Sequence, residues 1–317
     1  MLKRKKMRRH KRDRKAQPRV VSNFPSLADH KINSNAHMFT QDVHLAVMPI
    51  GGKTEKHPEF AIRFEGNDKD CERALELCSS LAKYDRLDVI EVVCDAVEQV
   101  TLHLAWYGYA VHEIIRDDEA NSKYHLYSFT SKRLYRLPGY FIQWVPKKDY
   151  EYFKKHYVII PSKDIWEISM PSILGGSSGY KKVLSGLKRF EHLGPKFWRS
   201  DLENQIQTGN FNFQEYVHNT ETYYKKLTRL WGWNRRDYSQ RNCTEFFTIY
   251  KGITFRWAQA ALREHIISEI NKLFSRLQIN AKIVVSGIPS AVDILRIRQE
   301  LVDGKIDFQK AYDKTSI

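Results

Sequence analysis

Two carboxylates, Asp293 and Asp303, stand in a strongly basic chain, and the second opens the string Asp303-Gly304-Lys305. In a basic protein such residues suggest metal-dependent phosphodiester cleavage, which needs clustered carboxylates around a divalent ion. The local pattern explains both of them differently. Asp293 follows Ser290 by three residues, the spacing of a helix-capping box, and Gly304 sits where a helix would stop. A metal nuclease is therefore carried only as the second alternative. The run Gly175, Gly176, Ser177, Ser178, Gly179 offers a flexible loop before a helix, but it lacks the G-x-x-x-x-G-K-[ST] order of a phosphate cradle. The twelve histidines are scattered. His103 falls on a helix and His112 on the strand after it, without a serine or cysteine at a recognisable catalytic spacing. Cys71, Cys78, Cys94 and Cys243 form no C-x-x-C pair, and the first two lie on a helical apolar stripe as core fillers. The chain is read as a non-enzyme: no catalytic residue, no metal ligand and no cofactor is assigned.

Nucleic-acid contact is the chemistry that remains. The formal net charge is +15. Residues 1–19 hold eleven lysines and arginines against Asp13, a net of +10, which leaves +5 for everything after them. A segment with so little apolar content cannot bury enough surface to fold. It is expected to be a disordered basic tail whose Lys3, Arg4, Lys5, Lys6, Arg8 and Arg9 seek phosphates or an acidic protein surface, the other account being a merely solubilising start. The second candidate is Trp231-Gly232-Trp233-Asn234-Arg235-Arg236-Asp237-Tyr238, placed between two helices where a loop would be exposed. Arg235 and Arg236 would meet phosphates, and Trp231 and Trp233 would stack on bases or on a neighbouring subunit. The other account of the tryptophans is that they anchor a helix–helix corner.

The elements that must position these residues are those of a helix-rich α+β protein. Residues 20–65 read as loops with one or two short strands. Asp68 or Asp70 caps a helix reaching about Tyr84. A second helix runs from Leu87 to Tyr107 and ends at Gly108, its apolar face traced by Val93, Ala96, Val97, Val100 and Leu104. Six aromatic and β-branched runs follow as an antiparallel β meander: Ala110–Arg116, Lys123–Phe129, Arg133–Leu137, Tyr140–Val145, His156–Ile160 and Ile165–Ser169. Helices then return from Tyr180 to Gln207, interrupted at Gly194–Pro195, and from Thr220 to Trp231, with an irregular patch over Asn210–Val217. The longest helix follows Gly252 and covers Thr254–Leu277, roughly 36 Å. A strand over Lys282–Val285, a helix capped by Ser290 and a short helix capped by Asp307 complete the chain. No apolar run is long enough to span a bilayer; Tyr157–Pro161 is typical of the longest. No secretory signal opens the chain, and no membrane partner is expected.

Four stretches, in this order, resemble the phage portal protein family, the head–tail connector rings of tailed phages. The first is Leu104-Ala105-Trp106-Tyr107-Gly108-Tyr109-Ala110 running into Val111-His112-Glu113-Ile114-Ile115-Arg116. The second is Ile165-Trp166-Glu167-Ile168 with Gly176-Ser177-Ser178-Gly179-Tyr180. The third is the helix Phe255–Leu277, and the fourth is Arg296–Asp313 with Leu301-Val302-Asp303-Gly304-Lys305-Ile306-Asp307. Together they cover about half the chain. It departs from the family in having Gly-Gly where Tyr-Gly is usual, Pro195 within the first stem-like helix, and a much shorter clip.

The resemblance implies a portal-like division: a basic tail at 1–19, a wing-like α+β domain at 20–170, stem-like helices at 171–231 with a reduced clip at 208–219, a tunnel loop and long wing helix at 232–281, and crown-side helices at 282–317. It implies a virion protein at the capsid vertex, in the host cytoplasm during assembly. Its partners would be itself as a ring of usually twelve subunits, double-stranded DNA to be packaged and ejected, terminase, and capsid or scaffold proteins. Phe255, Leu262, Ile266 and Leu273 are the expected subunit interface. The first alternative is a non-enzymatic nucleic-acid-binding protein of a mobile element, acting through its basic tail.

Overall fold

A computed structural model of the chain describes residues 18–21, 35–49, 57–83, 88–117, 123–129, 133–188, 213–235 and 244–316. The fold is α+β with antiparallel strands. Helix α1 (Asn35–His44) places Ala36, Phe39, Thr40 and Val43 on one buried face, where loops and short strands were expected. Strand β1 (Ala61–Gly66) leads into α2 (Asp68–Leu81), and α3 (Val89–Tyr107) follows. The cap of α2 is Asn67, one residue before the expected aspartates. Its side chain accepts from Asp70 N at 2.9 Å and donates to the Asp70 carboxylate at 2.8 Å. The Asn67 hydrogen bond holds that carboxyl below the usual carboxylate range. Helix α3 is capped by Asp88 and ends at Gly108, whose φ of 76° is left-handed. That is the conformation a helix-terminating glycine supplies.

The expected strands form within a residue or two of the expected places, as β2 (Tyr109–Asp117), β3 (Lys123–Phe129), β4 (Leu134–Leu137), β5 (Tyr140–Trp144), β6 (Tyr157–Pro161) and β7 (Ile165–Ser169), with a four-residue helix α4 (Tyr150–Phe153) between β5 and β6. They do not make one meander. Only β4-β5-β6 is a meander, while β7 returns to pair with β2 in the order β3-β2-β7. The reason lies in β2, where Ala110 through Ile114 are all buried, so both of its faces are covered. Ala110 and Ile114 face the main core, and Val111 joins a smaller cluster with Val20, Phe129, Phe141, Ile160 and Ile165.

Pro18–Val21 also belongs to the fold. Val21 N donates to Gln143 Oε1 at 2.8 Å, and Gln143 Nε2 donates back to the Val21 carbonyl at 3.0 Å. Arg19 pairs with the buried Glu113 at 2.6 Å and with Asp164 at 2.9 Å. The expected tail therefore loses its last charge to the fold, and residues 1–17 lie outside the described residues.

Helix α5 (Gly176–Leu187) begins inside the stretch expected to be a flexible loop. Ser177 Oγ donates to the Gly108 carbonyl at 2.5 Å and accepts from Met170 N at 3.2 Å, while Tyr180 OH donates to the Ala105 carbonyl at 2.8 Å. These bonds lock α5 onto the end of α3. The expected break at Gly194–Pro195 and helix to Gln207 lie outside the described residues. Helix α6 (Phe213–Leu227) covers much of the expected irregular patch. It crosses α5 at Gly186, where a Cβ would come within 2.5 Å of Leu227 Cδ2.

Helix α7 (Glu245–Arg276) has 32 residues and is capped by Thr244, so it runs through Gly252 instead of starting after it. An interior glycine costs about 1 kcal/mol, too little to break a helix this long and this well packed. Strand β8 (Ala281–Ser286) pairs antiparallel with β1, joining residues 61–66 to residues 281–286. Helices α8 (Ala291–Val302) and α9 (Phe308–Thr315) carry the expected caps, Ser290 with Asp293 as a complete capping box and Asp307. One contiguous core runs from Ala36 on α1 to Ala311 on α9. No helix among the described residues is long and apolar enough to cross a membrane.

Candidate nucleic-acid interface

The Trp231–Arg235 string is a closed corner. Trp231 is fully buried and Trp233 almost so. Their rings stand edge-on to Phe39 of α1 at 5.6 and 5.2 Å, and Trp231 also meets Tyr180 at 5.3 Å. Trp233 Nε1 donates to Asp42 at 2.8 Å. Gly232, at φ 69°, lies so close to α7 that a Cβ would sit 2.6 Å from the Lys251 carbonyl. Arg235 stacks 4.6 Å over Tyr224 and donates to Asn35 at 3.0 Å. Base stacking by Trp231 and Trp233 is thus corrected: no ring face is left open, because the corner closes α1 and α5 against α7. Arg236 and the tail residues Lys3, Arg4, Lys5, Lys6, Arg8 and Arg9 lie outside the described residues.

The expected interface on the long helix is corrected too. Leu262, Ile266 and Leu273 are buried in the chain's own core, and Phe255 is half-buried against it. Their apolar spacing marks a helix facing its own domain, and periodicity alone cannot say whose core a stripe enters.

Next to the corner lies an open groove between α6 and α7, lined by Lys225, Lys226 and Arg229 on one side and Lys251 and Arg298 on the other. Among the described residues no carboxylate lines it. Lys225 and Lys251 sit 5.8 and 5.6 Å over the ring of Phe247, and Arg298 sits 5.5 Å over Tyr250 and 5.8 Å over Trp257. Lys226 and Arg229 are exposed, Lys225 and Arg298 are half-buried, and Lys251 is buried. The arrangement can bind a phosphate backbone through charge, without reading sequence. The signal was present in Lys225-Lys226 and Arg229, spaced to share one end of a helix, but the partner rings lie some twenty residues further on.

The other chemical candidates are accounted for locally. Asp293 bonds Ser290, which holds its carboxyl below the usual range. Asp303 is held low by Lys305, 2.9 Å away, and by Gln299. Among the described residues no three histidines, cysteines or acids are placed to hold a metal ion. His103 and His112 lie 6.0 Å apart, with His112 4.9 Å from Trp166. Both are buried, which pushes His103 down to about 4 and His112 well down also. Burial likewise raises the Cys78 thiol to about 12, consistent with a core filler.

No protein-family model matches the chain, and no curated protein matches it.

Proposed function

We propose that the chain is a portal-like structural subunit, one member of a ring at a capsid vertex through which double-stranded DNA is packaged and ejected. The observation that carries this reading is the groove, lined by basic side chains and by no carboxylate among the described residues, at the junction of the α5–α6 helix pair with the 32-residue α7. A conduit for DNA needs positive charge without base-specific contacts, and the exposed Lys226 and Arg229 beside the half-buried Lys225 and Arg298 serve that need. The α5–α6 pair, crossing at Gly186, corresponds to the stem-like helices of the resemblance, and α8 and α9 to the crown side. The stretch Trp231–Asn242, of which the part after Arg235 lies outside the described residues, would take the tunnel-loop position of the resemblance, with terminase and capsid or scaffold proteins as further partners. The reading calls for no covalent step.

Light scattering after nuclease treatment tests the ring. A particle near twelve times 37.4 kDa supports it. A chain that stays monomeric with and without added duplex DNA overturns it, and tail-dependent binding by that monomer would favour the mobile-element alternative. Replacing Lys225, Lys226 and Arg229 by alanine should leave the particle mass unchanged. It should reduce the slope of duplex affinity against salt by about three, close to one for each phosphate contact removed.

A further inference from the structure

An antiparallel sheet packed on a core by one face normally turns polar side chains outward on the other. The β4-β5-β6 sheet does not. Its inward face carries Phe141, Gln143 and Ile160, all buried. Strand register puts Tyr135 opposite Ile142, Leu137 opposite Tyr140, Ile142 opposite Ile159, and Trp144 opposite Tyr157 on the outward face. Within β4, β5 and β6 that face carries no charged side chain, and the exposed Arg133, whose carbonyl accepts from Trp144 N at 3.0 Å, adjoins it. Tyr135 is 57% exposed, Trp144 48%, Tyr157 49% and Ile159 52%. With Leu137 and Tyr140 the open area is roughly 600 Å², at the top of what a monomer ordinarily shows in one patch.

The surroundings of the face are cationic. Lys147 and Lys148 follow β5, and Lys154 and Lys155 precede β6. None of the four pairs with a carboxylate among the described residues. Asp149 and Glu151 stand between them, so the local excess is modest. The larger charge arrives from elsewhere. Pro18 and Arg19 line one pocket with Tyr157, Val158 and Ile159, so residues 1–17, with ten basic residues and one acid, join the fold at the edge of β6.

We propose that this face is a stacking platform for single-stranded nucleic acid. Charge complementarity selects the occupant. A second copy would bring two +15 chains together. A polyanion neutralises that charge, and among polyanions a single strand is the one whose unpaired bases offer flat apolar faces to tyrosine and tryptophan. A duplex keeps its bases stacked internally and gains nothing from the rings. The platform is separate from the α6–α7 groove and does not depend on the ring reading.

The experiment is a titration of the full chain with a fluorescein-labelled oligothymidylate and with a duplex of equal length, read by anisotropy and by tryptophan quenching. The single strand should bind more tightly than the duplex. Trp144→Ala should lower its affinity about tenfold, and Trp144→Ala with Tyr157→Ala further, within the range seen for lost base–aromatic stacks. Trp144→Phe, which keeps a ring, should recover most of the affinity, and the thermal midpoint should be unchanged in all three. Removing residues 1–17 should weaken binding and flatten its salt dependence, while Trp144 is still quenched at saturation. Equal affinity of wild type and the double variant would overturn the proposal, as would a preference for the duplex. So would a change in particle mass in the double variant without any change in affinity, which would assign the face to a second copy.

Discussion

Two regions of this chain share a composition and have opposite fates. The Trp231–Arg235 corner and the β4-β5-β6 sheet are both aromatic with basic residues alongside. In the corner the rings point into the core and Arg235 is tied to Tyr224 and Asn35. On the sheet Trp144 and Tyr157 point outward with lysines beyond them. Composition therefore does not decide exposure here; backbone geometry does. At Gly232 a left-handed residue turns the chain so that both flanking tryptophans enter one cavity between helices. In β5 strict alternation sends Phe141 and Gln143 to one side and Tyr140, Ile142 and Trp144 to the other, and only the first side has a layer to pack against.

Opening the closed corner has the largest expected effect. Trp231→Ala removes a fully buried ring that touches Phe39 and Tyr180 and should cost about 3–5 kcal/mol, read as a fall in the denaturation midpoint at unchanged slope. A loss below about 1 kcal/mol would mean that the corner is open in solution and that its rings are free for other contacts.

A smaller effect comes from protons. The closed side of β2 holds His112 against His103 and Trp166, whereas the outward face of β4-β5-β6 holds no titratable group near neutrality. Burial lowers His103 from 6.5 to about 4, so between those values the unfolded chain binds a proton that the folded chain does not. Stability should therefore fall as pH drops from about 6.5 to about 4 and be flat below that on this account. The largest loss is about 3 kcal/mol from His103, and His112 adds in the same direction. Carboxylates titrate in part of this range, so the readout is the difference between wild type and His103→Phe. Coincident pH profiles would show that the pair is hydrated.

These effects also mark what was legible in the sequence. Helix α3, its stop at Gly108, the six strands and the Ser290 and Asp307 caps follow from spacing and turn chemistry, all of which are local. What escaped was non-local. The return of β7 to β2 depends on β2 being buried on both faces, and the pairing of β1 with β8 spans more than two hundred residues. Helix α1 is short and carries His37, Gln41 and Asp42 among its apolar positions, so its pattern is weak. For the candidate interface, Lys225 and Lys226 were not singled out, because the ring under Lys225 is that of Phe247 on α7 and no local signal joins the two. Local signals also made an exposed loop of a corner whose burial depends on α1, nearly two hundred residues earlier.

The basic segment offers a third, smaller test, because it joins the fold beside the open face. Removing residues 1–17 should leave the denaturation midpoint within about 0.5 kcal/mol of wild type. Removing residues 1–21 also takes away the Arg19 ion pairs and the Val21–Gln143 hydrogen bonds. It leaves the buried Glu113 carboxylate without its donors, at a cost of about 1–3 kcal/mol. Equal stability of the two truncations would detach the segment from the sheet edge and remove the reason for charge to gather there.

The smallest expected effect is the most informative about the difference between the regions. Trp144→Ala deletes as large a ring as Trp231→Ala, from a face where its only described ring neighbour is Tyr157 at 6.1 Å. Since nearly half of the residue is already in water, the change should alter stability by no more than about 0.5 kcal/mol. A loss of several kcal/mol, matching that of Trp231→Ala, would mean that something covers the sheet in the purified protein. Repeating the melt across a hundredfold range of protein concentration would then identify the cover, because a face shared between two copies makes the midpoint depend on concentration and a cover within one chain does not.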